Sequence, residues 1–223
     1  MPDNLSDAYR LQDHSIAAWE DELVGWKVGG MSPASAAELG TPYLAGPIFA
    51  KSVQHAHQGR STEMPVFEEG FAAIEPEFII ALGNTREEDR MFIGAEIASS
   101  PIPDINDYGP ITVICDFGNN NGLLIGPEIT DWRTRDREIT VSTHINGDLI
   151  AESRLTDFPA APLRALAFLL ELAEQRGYDL PAGTFVSTGA ITGVHEAKIG
   201  ATSELSFSEY GTVELQLVPA VPA

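Results

Sequence analysis

The chain has 223 residues, 43% of them apolar and 21% charged, a globular balance that excludes whole-chain disorder. A chain of this length forms one domain and buries roughly 70% of the surface its unfolded form exposes. Thirteen basic against 33 acidic residues leave a formal net charge of −20, which repels phosphate backbones and excludes nucleic acid and anionic membrane as partners.

The first ten residues, MPDNLSDAYR, lack a basic start followed by an apolar run, and no apolar stretch approaches the ~20 residues of a membrane helix. We therefore expect a cytoplasmic protein. Leu5 to Leu23 predicts a helix with Tyr9, Leu11, Ile16, Trp19 and Leu23 near one face, ended by Gly25. GWKVGG, Gly25 to Gly30, reads as a short strand, and Ser32 to Glu69 as turns with short apolar pieces. Phe71 to Gly83 predicts a strand, NTREEDR a charged loop, and MFIGAEIASS a second buried segment. Pro101 to Pro110 is an irregular loop by its prolines, Asp and Asn. PITVICDFG is expected as a strand with its lone Cys115 a buried thiol, and NNNG as a turn. Glu138 to Glu152 predicts a hairpin with a type I′ turn at Asn146-Gly147. Pro162 to about Arg176 predicts a helix burying Leu166, Leu169, Leu170 and Ala173 and capped by Gly177. GTFVSTG and a pair within SELSFSEYGTVELQLV close the chain as strands. Many strands and two helices out of strict alternation predict an α+β fold with a mixed, strongly curved sheet, sandwiched or rolled. We divide it as one catalytic domain, 1–223, with an N-terminal helix and lid-like segments over 1–70 and a core over 71–223.

Glu75-Pro76-Glu77 is the sharpest chemical feature. In a strand, residues two apart share a face, so the two carboxylates stand about 7 Å apart at Cα. Pro76 places the pair at an edge or at the first residue of its strand. A hard divalent cation neutralises such a pair well, and two solvated glutamates at a strand start are the other reading. Glu96 is the one charge in an apolar segment, either a third carboxylate or a strand-face glutamate in water. Lys27 is one of three lysines, and between Trp26 and Val28 it either binds a substrate carboxylate, serves as a pKa-shifted acid or base, or snorkels at the surface. Ser187-Thr188-Gly189 at a strand end is a carboxylate cradle or an ordinary turn. No histidine pair has helical metal-ligand spacing, and no nucleophile elbow, P-loop or dinucleotide fingerprint is present.

In order, AYRLQ, GWKVGG, GPIF, IEPEFIIALG, GAEIASS, CDFGNNNGLLIGP, INGDLIAES, APLRALAFL, LPAGTFVSTGAITG and YGTVELQL resemble the fumarylacetoacetate hydrolase superfamily. The branch they most resemble is that of 2-keto-4-pentenoate hydratase and 4-oxalocrotonate decarboxylase, over about Ala8 to Leu217. The resemblance implies the C-terminal-domain fold of that superfamily and Mg²⁺ or Mn²⁺ on Glu75, Glu77 and Glu96. It implies catalytic roles for Lys27 and Asp116, and substrate contacts from Ser187, Thr188, Gly189 and Asn119. It further implies a lyase, a hydratase or decarboxylase acting on a 2-oxo acid through an enolate that the metal stabilises, in a homo-oligomer. An acylpyruvate-type hydrolase and a non-catalytic, metal-dependent binding module are the alternatives. Three departures stand out: Ala50-Lys51 replace paired acidic residues, Phe117 stands where Asn is usual, and Asn119 replaces a serine. Lys51 is one candidate to fill the gap, and His14 with Glu20 is the candidate water-activating pair of a hydrolase.

Overall fold

The computed structural model describes residues 2–134 and 138–220. Helix α1 (Leu5–Ala18) starts on Asn4, whose side chain accepts from the Asp7 N–H. It stops short of Leu23, because Leu23 already opens strand β1 (Leu23–Gly30). Its buried face is Ala8, Tyr9 and Gln12, whereas Leu11 and Trp19 are exposed, so the expected apolar stripe is not the packing face. Polar anchors replace it. The Ala45 N–H donates to Tyr9 Oη (3.1 Å), and Gln12 Nε2 donates to the carbonyls of Ala45 (3.1 Å) and Ile114 (2.8 Å). Arg176 donates to Gln12 Oε1 (2.8 Å) and pairs with Asp13. The AYRLQ segment thus does structural work. Gln12→Leu leaves two buried carbonyls without a donor, and we expect a loss of about 2–4 kcal/mol, a fall in Tm of roughly 5–15 °C. Thermal unfolding checks this, and an unchanged Tm would contradict it.

The turn-rich stretch after β1 contains helix α2 (Pro33–Leu39) and strands β2 (Tyr43–Phe49), β3 (Val53–His55) and β4 (Thr62–Val66). Strands β5 (Phe71–Ala81) and β6 (Arg90–Ser100) then form a long antiparallel pair. The expected strand at PITVICDFG is instead helix α3 (Pro110–Cys115), with Pro110 in its first turn and Thr112, Val113 and Ile114 buried. Cys115 is only partly buried. The expected NNNG turn is displaced too: the chain reverses one step earlier, and strand β7 (Asn120–Glu128) begins inside the asparagine run. Strands β8 (Ile139–Ile145) and β9 (Asp148–Leu155) form the predicted hairpin, with φ of 54° at Asn146 and 87° at Gly147 as a type I′ turn needs. Helix α4 (Ala160–Arg176) ends at left-handed Gly177 and buries Ala165, Leu166, Leu169 and Ala173, while Leu170 is turned outward. Strands β10 (Phe185–Ser187), β11 (His195–Glu196), β12 (Thr202–Phe207) and β13 (Thr212–Pro219) complete the chain.

The strands form two mixed sheets, curled toward a half-barrel. One runs β2-β1-β10-β5-β6-β7-β3, with β11 also on β5, and the other β4-β13-β12-β8-β9. The pairs β1/β10, β3/β7 and β4/β13 are parallel, and the rest are antiparallel. This is the expected α+β architecture. The inner faces share one core: Ile93 and Ile97 of β6 meet Leu205, Phe207, Val213 and Leu215 of the second sheet, and Leu166 and Leu169 of α4 join them. Strands β1 and β2, from the first seventy residues, hydrogen-bond within the same sheet as β5 and β6. Lys27 is thereby set beside the long central pair.

Candidate metal centre

The site grows out of the β5/β6 register. Glu75 stands directly opposite Glu96, and Glu77 opposite Gly94, so all three carboxylates leave one face of the central pair. One oxygen from each lies within 4.8 Å of the others, and all three residues are buried. Pro76 is not at an edge as expected; it sits mid-strand. Its neighbours on the far side are β10, pairing with 79–81, and β11, pairing with Ala73 and Ile74, and the gap between them falls at Pro76. The Ile191 N–H donates to the Pro76 carbonyl across that gap (2.9 Å). The missing proline donor therefore costs the ladder nothing there.

Each carboxylate has a different holder. Glu77 Oε2 accepts from the Ser187 hydroxyl and from the Gly189 N–H (2.8 Å). Gly189 presents that N–H at φ 104°, a conformation side chains rarely adopt. The Ser187-Thr188-Gly189 turn, expected to meet substrate, instead cradles the protein's own Glu77 carboxylate; none of the three is among the cavity's lining residues, and the Thr188 hydroxyl is spent on the Phe78 carbonyl (2.8 Å). Glu77 Oε1 is buried without a hydrogen-bond partner. Glu96 Oε1 accepts from Asn120 Nδ2 (3.1 Å) and faces Lys27 Nζ (3.2 Å), which also donates to Asn119 Oδ1 (3.4 Å). A hard divalent ion fits these residues: it offers the bond that Glu77 Oε1 lacks and offsets charge that the single ammonium cannot.

Residues 117–119 bring Asn119 to Lys27. Phe117, Gly118 and Asn119 all have positive φ, at 54°, 69° and 54°. This left-handed step passes so close to β2 that a Cβ on Gly46 would lie 1.9 Å from the Phe117 carbonyl oxygen, which explains the glycine of GPIF. Asp116 opens the step, but its carboxyl bonds Ser100 and is absent from the cavity lining.

Charge follows geometry. Burial, and then Glu96, push the Glu75 carboxyl up to about 8, with Lys27 opposing. Burial, Glu96 and Glu75 push Glu77 well above the usual carboxylate range, against the Ser187 and Gly189 hydrogen bonds. For Lys27, burial pulls the pKa down, but Glu96, Glu75 and Glu77 outweigh it and leave the amine above its ordinary value. Without a cation, Glu75 and Glu77 therefore hold protons near neutrality, and an incoming ion must displace them. Divalent-ion affinity is expected to rise with pH up to about 8, measured by titration calorimetry in buffers of different ionisation enthalpy. The metal-free fold obeys the opposite sign. Between about 4.5 and 8 the folded state binds more protons than the unfolded one, so its stability falls as pH rises through that window. Saturating Mg²⁺ should flatten the fall, and a metal-free Tm that climbs from pH 5 to 8 would contradict the assignment.

A cavity of about 490 Å³ opens onto the centre, within the usual range of small-ligand sites. Lys27, Glu75 and Asn119 reach it, and its walls come from 29–32, Ser35 and Leu44, from the 106–113 stretch, and from Ala190, Gly193 and Val194. A larger cleft of about 700 Å³ lies between α1 and α4. Its central Arg176 is already committed to Asp13, Gln12 and three aromatic rings, so we place the chemistry in the smaller cavity. Lys51 lies outside that cavity, its Nζ donating to the Glu20 carbonyl (3.1 Å) at the surface, and His14 and Glu20 are exposed. Neither Lys51, the candidate to fill the gap, nor the His14 and Glu20 pair of the hydrolase alternative lines that cavity. Sequence reasoning missed Asn120, the donor to Glu96, and the cavity walls. The asparagine run was the available signal, since Asn tolerates the left-handed backbone this step needs.

No family model matches the chain. Over 109 residues it is 27% identical to 4-oxalocrotonate decarboxylase from Pseudomonas putida, a match covering 48% of this chain and 41% of that protein. The matched segment spans about two-fifths of that relative's length. The structure of 4-oxalocrotonate decarboxylase from Pseudomonas putida G7 complexed with calcium and acetate has a TM-score of 0.73 at 22% identity, covering 96% of this chain and 85% of that one. Its complex with magnesium and adipate gives 0.73 at 21%, covering 96% and 86%. Fumarylpyruvate hydrolase from Pseudomonas aeruginosa with Mn²⁺ and pyruvate gives 0.61 at 17%, covering 87% and 89%. The chain shares the fold of these neighbours, each of which was solved with a divalent ion.

Proposed function

We propose that this protein is a Mg²⁺- or Mn²⁺-dependent lyase of 2-oxo acids, a decarboxylase or hydratase, with Glu75, Glu77 and Glu96 holding the ion. One observation carries the reading: three buried carboxylates converge beside a buried lysine, and one of them, Glu75, opens with that lysine onto a ligand-sized cavity. When bound, a divalent ion supplies Lewis acidity toward the carboxylate and 2-oxygen of a 2-oxo acid. The chain's own groups do the rest. Lys27, kept protonated by the surrounding carboxylates, lines the cavity and holds the acid's carboxylate. Asn119 fixes the position of that ammonium. Glu77, anchored by Ser187 and Gly189, keeps its other oxygen free for the ion. Asp116, expected as a catalytic residue, bonds Ser100 away from the cavity lining, and no step is assigned to it.

The lyase reading ranks above a hydrolase because His14 and Glu20 lie on the surface. Among the described residues the nearest histidine in sequence to the cavity wall is His195, whose Nε2 bonds the Thr192 hydroxyl (2.8 Å). Incubating the Mg²⁺-loaded protein with a panel of 2-oxo acids separates the classes: CO₂ release or water addition supports the lyase, cleavage to pyruvate and an acid supports the hydrolase, and no turnover of any member supports a binding module. The homo-oligomer belongs to the same proposal, supported by exposed Leu149 and Ile150 on β9, the last strand of the second sheet. A monomer by sedimentation velocity would remove it.

A further inference from the structure

Among the described residues that line the cavity, the charged ones are Lys27 and Glu75, both at its floor. Among the described residues, Lys27 is the one lysine or arginine that lines it. Its ammonium is already shared between Glu96 and Asn119. Three carboxylates, one ammonium and a divalent ion cancel in formal charge, so the head carboxylate of a bound 2-oxo acid brings the centre to a net negative charge. The walls above are Met31, Leu44, Pro110, Val113, Ala190 and Val194. The polar groups among them are committed elsewhere or uncharged: Ser32 and Ser35 bond each other (2.9 Å), and Asn106 is flanked in sequence by acidic Asp107 and, two residues back, Asp104. A ligand's far end therefore meets apolar side chains inside a chain of net charge −20. A second carboxylate placed there loses water and gains no cation.

We infer that this cavity selects 2-oxo acids whose far end is uncharged over those that carry a second carboxylate. The inference rests on the 2-oxo acid reading above and narrows its substrate class. It also separates this chain from the neighbour solved with adipate, which is a dicarboxylate.

The test is a matched set measured by titration calorimetry on the Mg²⁺-saturated protein. Oxalate presents the chelating head alone. The compounds 2-oxopentanoate and 2-oxoglutarate share five carbons and differ only in a terminal methyl against a carboxylate. We expect oxalate to bind and 2-oxopentanoate to bind at least tenfold more tightly than 2-oxoglutarate. Oxalate binding with 2-oxoglutarate equal to or tighter than 2-oxopentanoate overturns the inference and leaves the 2-oxo acid reading standing. Failure of oxalate itself removes that reading and the inference with it. Val194→Arg, at an exposed position on the wall, supplies the missing cation. It should strengthen 2-oxoglutarate at least fivefold and narrow the gap; an unchanged gap would show that the absent cation does not set the preference.

Discussion

Glu77→Gln is expected to abolish divalent-ion binding while leaving the metal-free fold at least as stable as the parent. The two effects separate because Glu77 has two different oxygens. One is held by Ser187 and Gly189, and an amide oxygen accepts the same hydrogen bonds. The other is buried without a partner, and only a cation or a proton satisfies it. Burial and the neighbouring carboxylates already make the charged form costly, so an uncharged isostere removes a penalty from the metal-free protein. The ion loses a charged ligand, and we expect its Kd to rise by at least about a hundredfold. In Mg²⁺ at about one hundred times the parent's Kd, the parent gains about 2.7 kcal/mol, a rise of roughly 5–10 °C in Tm. The variant should gain almost none of it. A normal Mg²⁺-dependent rise in Glu77→Gln would take Glu77 out of the centre.

Lys27→Met has the second large effect, and here stability and binding move apart. In the metal-free protein Lys27 is the ion-pair partner of buried Glu96, so its removal leaves that carboxylate buried without a counter-charge. Breaking a buried pair in this way costs about 3–5 kcal/mol, a fall in Tm of roughly 6–20 °C. A divalent ion replaces the lost positive charge, so Mg²⁺ should recover much of that fall and bind at least as tightly as in the parent. Oxalate affinity on the loaded variant should drop ten- to a hundredfold, about 1.5–3 kcal/mol, because the charge-assisted hydrogen bond to the ligand is gone. An oxalate affinity equal to the parent's would remove Lys27 from the ligand. A loaded variant that binds oxalate normally but no longer turns over a substrate would make Lys27 a proton carrier instead.

The legible parts of this molecule were those set by local pattern. Glu75 and Glu77 share a face because strands alternate, and the Asn146-Gly147 hairpin follows from a turn that needs two positive φ values. Glu96 was readable as a lone charge in an apolar segment, but its place opposite Glu75 is a matter of register, which the segment by itself does not specify. Pro76 misled because a proline is an edge signal only where the neighbouring strand is continuous; here that neighbour is broken into β10 and β11. The α3 segment misled for a different reason. ITVIC is β-branched and apolar, yet it packs as a short helix against α1 through Gln12, a contact about a hundred residues distant in sequence that no local propensity encodes. Leu11 and Trp19 show the same limit: α1 docks through Tyr9 and Gln12, and an apolar stripe does not reveal a face built on hydrogen bonds.

The most direct test is anomalous diffraction from crystals grown with Mn²⁺ and oxalate. The account predicts one Mn²⁺ per chain, bonded to carboxylate oxygens of Glu75, Glu77 and Glu96, with Glu77 Oε1 among them and oxalate chelating from the cavity side within reach of Lys27 Nζ. Saturating Mn²⁺ with no anomalous peak among those three carboxylates would contradict it.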